Sequence, residues 1–236
     1  MMANFREVFT SEHTILSVVH VENVTQAVHN IRIAQDTGCN GAFLISMRGM
    51  DHRNLWNVHQ VVQQQIPDFW VGVNYLGAET PLVFRYLSQG VPGLWFDNVE
   101  VDERLEEQVM AERNKKVREN SGWEGLDFGG VAFKYQRPVP KDMLGEAARK
   151  TMVYTDVITT SGPATGQEAD PEKIRIFREA IGNYPLAIAS GISPKNVEVY
   201  MPYTDAFLVA TSLLVPGTED FDPNRLRQLV KVIRGS

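Results

Sequence analysis

A chain of 236 residues, 43% hydrophobic and 22% charged, has the composition of a globular protein with a sizeable core. Its formal net charge of −6 and pI near 5.4 exclude a basic nucleic-acid footprint over the whole chain. No apolar run approaches the roughly 20 residues needed to span a bilayer, and residues 1–13 carry charges where a signal peptide needs an apolar core. A cytoplasmic protein that neither binds nucleic acid nor inserts into a membrane is therefore expected. The single cysteine, Cys39, permits no intrachain disulfide and reads as a small, partly buried residue.

Apolar runs of strand length alternate with helix-like segments along the whole chain. Strands are expected at 14–21, 41–47, 70–76, 93–98, 127–135, 155–161, 185–190 and 205–212. Most are continuous apolar runs, as befits strands buried on both faces of a parallel sheet. The helix starts between them carry capping residues: Asn23, Asp51, Thr80-Pro81, Asp170-Pro171, Ser193-Pro194 and Asp222-Pro223, with a further start at Pro140. Asp102 opens a charged segment to about Asn120, read as a helix with a solvated outer face. YTDVITTSG (154–162) and YTDAFLVATS (203–212) show a weak internal likeness. Eight β-α units without a long linker predict a (β/α)₈ TIM barrel, with residues 1–236 forming one domain. A doubly wound sheet is the rival, but no G-x-G-x-x-G follows the first strand.

In a barrel of this kind, polar residues at the C-terminal strand ends are candidates for function. They are His20 and Glu22, then Ser46, Arg48 and Asp51, then Asn74 and Tyr75, then Asp97 and Asn98. Lys134 follows within VAFKY, and Thr160 and Ser161 end the sixth strand. Asp156 and Asp205, at strand starts, read as structural. The second half holds three loops rich in glycine and hydroxyls: TTSGPATG (159–166), SGISPKN (190–196) and ATS (210–212). Glycines let backbone approach a ligand, and exposed N–H groups favour an anion. Ser161, Gly162, Thr165, Gly166, Ser190, Gly191, Ser193, Thr211 and Ser212 are thus expected to hold a phosphate, with Asn74 on the substrate. The competing reading is that the glycines serve tight turns and the hydroxyls cap helices.

His20, Asp97 and Lys134 are the expected reacting groups. His20 and Asp97 can form a base and its partner. Lys134 can pair with Asp97, bind an anion or form a Schiff base, and it can instead point outward as a solvated lysine. The other histidines, His13, His29, His52 and His59, lack zinc-ligand spacing, so no metal site is expected. No cofactor is specified.

These residues resemble the BtpA/SgcQ family of TIM-barrel proteins. The run from YTDVITTSGPATG through IASGISPKN to TDAFLVATSLL (154–214) resembles the family's A-D-x-V-I-V-S-G-x-A-T-G, G-S-G-x-T-x-x-N and A-D-G-x-I-V-G-T-S. VAFKYQRPV (131–139) resembles V-x-V-K-H-x-x-P, keeping Lys134 and Pro138. VVHV keeps the His20 of V-H-L, and VGVNYL keeps the Asn74 of G-V-N-V-L. Departures lie mostly in the first half, where VENVTQ replaces a proline- and glycine-rich loop and SMRG replaces E-N. Gln136 after Tyr135 also differs. The resemblance implies a TIM barrel. It links the chain to photosystem I biogenesis, to sugar-metabolism gene clusters and to phosphoribosyltransferase-like proteins.

The expected function is an enzyme acting on a small phosphorylated metabolite, a sugar or ribosyl phosphate, with room for a homo-oligomer. The alternatives are a catalytically inactive barrel acting as an assembly or regulatory factor, and a lyase or aldolase using Lys134 as a Schiff base.

Overall fold

The computed structural model describes residues 3–47 and 49–235. Arg48 lies outside the described residues. Eight parallel strands close into a barrel in chain order: β1 (Thr14–Val21), β2 (Gly41–Ser46), β3 (Val71–Asn74), β4 (Gly93–Phe96), β5 (Leu126–Gly130), β6 (Val157–Ser161), β7 (Leu186–Ala189) and β8 (Ala206–Val209). The seam pairs β1 with β8, from Thr14 opposite Ala206 to Ser17 opposite Val209. The TIM barrel expected from the sequence is the fold observed.

Each strand turns alternate side chains to opposite faces. Leu16 and Val18, Phe43 and Ile45, Trp95, Leu126 and Phe128, Val157, Ala187 and Leu208 fill the barrel interior. Their neighbours Ile15 and Val19, Leu44, Leu94, Ile158, Ile188 and Phe207 pack outward against the helices. The interior is stocked with aromatic rings in edge contact, Phe43 meeting Trp70, Trp95 and Phe128 at 5.1–5.7 Å. A short N-terminal helix, α1 (Phe5–Val8), adds Phe5 and Phe9 to this cluster and stoppers the N-terminal end of the barrel. The sequence carried no sign of that stopper.

The outer layer contains α2 (Val24–Asp36), α3 (His52–Gln65), α4 (Thr80–Leu82, continued as a π-helical turn Val83–Leu87), α5 (Val109–Ser121), α6 (Leu144–Thr151), α7 (Pro171–Ile181), α8 (Val197–Tyr200) and α9 (Pro223–Arg234). Asn23, Asp51, Asp170 and Asp222 cap their helices as expected, each side chain accepting a first-turn N–H. Other starts shift. Thr80 lies inside α4 behind Glu79. Ser193-Pro194 forms a turn, and only Val197 begins a helix. The segment after Asp102 is a loop until Val109, because Gln108 folds back to bond Asp102 and Leu105. Among the described residues, no helix is long and apolar enough to cross a membrane.

The charged 102–120 segment is not wholly solvated. Glu103 is buried and takes both oxygens to Arg137 at 2.6 and 2.7 Å. Arg118 is buried too, bonded to Asp156 and 3.7 Å from Asp127. Asp156 and Asp205 serve the strand starts structurally, the latter bonding Arg6 and Arg178.

Burial pushes the Asp127 carboxyl up to about 7, against the pull of Arg118. The unfolded chain gives up that proton near pH 4, the folded chain only near 7. Stability from this group is therefore complete below about pH 4 and is lost as pH rises through about 7. Asp127→Asn leaves Arg118 its Asp156 partner and should flatten this slope. Urea denaturation should find the variant gaining on the wild type by on the order of 2 kcal/mol between pH 5 and 8. An unchanged difference across that range would refute the account.

Candidate functional site

The same alternation that fills the interior carries His20, Asn74, Asp97 and Ser161 to the inward face at the C-terminal mouth. Ser46 and Thr160 alternate outward. Tyr75 also points into the helix layer, its hydroxyl donating to the Leu87 carbonyl at 2.6 Å.

Asp97 is the best-held of the reacting candidates. The Asn74 amide donates to its carboxyl at 3.0 Å, and Gln136 donates to its carbonyl at 2.5 Å. Burial raises the carboxyl above the usual range, while the Asn74 bond and the nearby Lys134 charge pull it back. A pocket of about 530 Å³ opens beside it, lined by Asn74, Trp95, Asp97, Asn98, Glu100 and Arg113 among others. His20 is not its partner. The imidazole Nδ1 sits 2.8 Å from Glu219 in the loop before α9, and lines a separate pocket of about 410 Å³ with Glu22, Met47, Asp51 and Asn54. The base-and-partner pairing of His20 with Asp97 is therefore not the arrangement found. Glu219 escaped the sequence reading because it lies outside every periodic segment.

Lys134 does not belong to a strand. β5 stops at Gly130, and Ala132 and Tyr135 take left-handed φ of 46° and 62°, which no extended strand accommodates. Lys134 thus rides a turn. Its N–H donates to Ser161 Oγ at 2.7 Å, and its ammonium lies 5.6 Å from the Phe133 ring centre. It acts on Asp97 through space, short of ion-pair contact.

A second lysine braces this turn. Lys173, on α7, donates to the Ala132 and Ser161 carbonyls at 2.5 and 2.8 Å. Burial lowers its ammonium to about 8. A neutral amine still has two N–H groups for the two carbonyls. The sequence does hold a signal for it: a cation at the third position of a helix opposes the dipole and needs a local reason.

The loops after β6, β7 and β8 come together. Gly166 N–H donates to Ser190 Oγ at 2.8 Å, and Gly166 lies beside Thr211. Gly162 and Gly191 both face the 167–168 backbone, where a Cβ would fall 2.2–2.3 Å from the Gln167 carbonyl. These glycines therefore do pack loop on loop. Several hydroxyls have protein partners: Thr165 with Tyr135, Ser193 with Asn196, and Ser212 with the Ile192 carbonyl at 2.6 Å. Thr211 is exposed at the rim. Cys39 is buried, its thiol pushed up to about 12 by burial, which leaves it a poor nucleophile. Among the described residues, no group of three or more His, Cys, Asp or Glu side chains is arranged to hold a metal ion.

The sequence profile of the BtpA family matches residues 124–235, the half-barrel from β5 to α9, and over that stretch the family resemblance holds. Curated relatives include an uncharacterised protein of Methanocaldococcus jannaschii, 28% identical over 33% of this chain, and one of Pyrococcus horikoshii, 27% identical over 34%. The matches span only 30% and 31% of those relatives' own lengths. Among solved structures, the barrel is similar to (S)-3-O-geranylgeranylglyceryl phosphate synthase from Thermoplasma acidophilum in complex with sn-glycerol-1-phosphate. That match has TM-score 0.71 at 10% identity, covering 100% of both chains. It is similar also to phosphoribosyl anthranilate isomerase from Thermus thermophilus, with TM-score 0.67 at 11% identity, covering 94% of this chain and 98% of the other. A third, 3-keto-L-gulonate-6-phosphate decarboxylase from Vibrio cholerae, has TM-score 0.65 at 12% identity, covering 95% and 99%. At these identities the likeness is one of fold.

Two measurements check the electrostatics. Asn74→Leu removes the donor that favours the Asp97 carboxylate, so the Asp97 midpoint in a ¹³C carboxyl titration should move up. A downward move contradicts the assigned cause. Lys173 is charged in the unfolded chain until about pH 10.5 and in the folded chain only to about 8, so folding gains stability as pH rises between those values. Lys173→Met should abolish that gain in urea melts at pH 7.5 and 9.5.

Proposed function

We propose that this barrel is an enzyme acting on a small phosphorylated metabolite, with Asp97 as the proton-transferring group. The observation that carries the reading is the half-buried Asp97 carboxyl at the mouth, bonded to Asn74, its affinity for a proton raised by the burial it has. A carboxyl moved toward neutrality can both take and return a proton, and general acid–base catalysis rewards that poise. Lys134 would stabilise negative charge developing nearby, a role its place in a turn suits better than covalent attack. His20, held by Glu219, would line the far side of the mouth.

The phosphate would sit where the loops after β6, β7 and β8 meet. Of the residues expected to hold it, Gly166, Ser190 and Thr211 meet at that junction and would line it, with Thr165 and Ser193 beside them, while Ser161, Gly162, Gly191 and Ser212 would shape it from behind through their protein contacts. Barrels of this class commonly bind phosphate in the loops after the last two strands. The names of the similar structures, enzymes of phosphorylated substrates, support a phosphorylated substrate in general. The substrate would then span the mouth, phosphate over the β6–β8 side and reacting carbon near Asp97.

Thermal-shift screening should find sugar phosphates and glycerol phosphates raising the melting temperature, their dephosphorylated forms much less. Once a turned-over substrate is found, Asp97→Asn should lower kcat by roughly 10²–10⁴-fold while leaving binding largely intact. A panel in which no phosphorylated compound stabilises the protein refutes the proposal.

A further inference from the structure

Trp95 is the inward residue of β4, two positions before Asp97 and on the same face. It is 4% exposed, and its Nε1 has no hydrogen-bond partner among the described residues. Buried donors are almost always paired, and an indole N–H can only donate. Trp123 shows the ordinary outcome, its Nε1 donating to the Val91 carbonyl at 2.7 Å. Trp95 is not free to swing toward such a partner. Edge contacts with Phe43 at 5.7 Å and Phe133 at 6.1 Å hold the ring from two sides. The indole lines the pocket that holds Asn74 and Asp97. The Trp56 indole on α3 is also unpartnered, but lines neither mouth pocket.

A second orphan belongs to the same interior. Thr159, inward on β6 and fully buried, has no partner for its hydroxyl among the described residues. Its register partner on β5 is Gly130, where the Asp97 backbone takes the room a side chain would need: a Cβ there would fall 2.0 Å from the Asp97 carbonyl oxygen. The inward faces of β3, β4 and β6 near the mouth therefore carry an unpartnered indole donor, an unpartnered hydroxyl and the Asn74–Asp97 pair. That mixture of donor and acceptor suits a ligand bearing hydroxyl or carbonyl oxygens, and suits a hydrocarbon poorly.

We infer that Trp95 is a binding residue whose indole N–H donates to an oxygen at the non-phosphorylated end of the ligand, so that the substrate is a hydroxylated or hydroxycarbonyl phosphate ester. This deepens the proposed function and rests on it for the phosphate alone. A site built around a fixed donor discriminates against an analogue lacking the acceptor.

The test uses the whole chain with its four tryptophans labelled at the indole nitrogen. Trp95→Phe, which keeps an aromatic ring in the cluster, assigns the Trp95 resonance. If that variant does not fold, phenylalanine substitutions at Trp56, Trp70 and Trp123 assign it by elimination. Probes are sn-glycerol 1-phosphate, propyl phosphate, which lacks the hydroxyl oxygens, and hydroxyacetone, which lacks the phosphate. The expected result is a downfield shift of the Trp95 indole proton with glycerol phosphate and none with propyl phosphate. Trp95→Phe should weaken glycerol phosphate binding by about tenfold and leave propyl phosphate unchanged. If both esters bind and the Trp95 signal stays still, the Trp95 inference is overturned and the phosphate reading stands. If neither ester binds, the phosphate reading falls. Hydroxyacetone then decides the Trp95 role: a shift upholds it and an unmoved resonance ends it.

Discussion

Closure of the sheet is the constraint from which the rest follows. Once eight strands pair in a ring, every second side chain is committed to a space of fixed width that must be filled. Here the filling is lopsided: Phe43, Trp95 and Phe128 stand against the alanines of β7 and β8. Large rings on one side and small residues on the other pack the lower interior solid, and Phe5 and Phe9 finish it from below. Ligand chemistry is left only the uppermost layer, where the inward residues turn polar.

Within that layer, charge is handled by support from neighbouring elements. Asp97 draws on the strand before it through Asn74 and on the turn after β5 through Gln136. That turn is in an unfavourable backbone conformation, and Lys173 and Ser161 tie it from α7 and β6. Left-handed non-glycine residues persist only where surroundings over-determine them. The precise setting of Lys134 thus depends on a helix that contributes nothing to the mouth itself.

The strands were readable because burial on both faces makes them continuous apolar runs, and the helices because Asn23, Asp51, Asp170 and Asp222 are unambiguous caps. Strand ends named Asn74, Asp97 and Ser161 as candidates, but they named Ser46, Tyr75 and Thr160 equally, and only closure of the barrel decides which of each set faces inward. The length of β5 was not readable: Phe133 is apolar because it reaches back into the interior, so VAFKY reads as more strand. Positive φ at Ala132 and Tyr135 leaves no compositional trace. Arg118 was taken for a surface charge because its partners, Asp127 and Asp156, come from two other elements. Glu219 against His20 is likewise a meeting of distant segments. Pairings of this kind depend on tertiary geometry, which local periodicity does not encode.

The β1–β8 seam has a consequence for how the chain reaches this state. Its two edges are made at opposite ends of synthesis. Until residues 206–209 leave the ribosome, Thr14–Ser17 present an open row of backbone donors and acceptors, and the interior Ala206 and Leu208 of β8 are missing from the cluster. A nascent chain can assemble adjacent β-α units, but the ring locks only with the last of them. Contacts of such long sequence separation make folding slow and leave the growing edge prone to mispairing. The vulnerable interval ends when β8 docks, which makes the final strand the kinetic gatekeeper of the barrel.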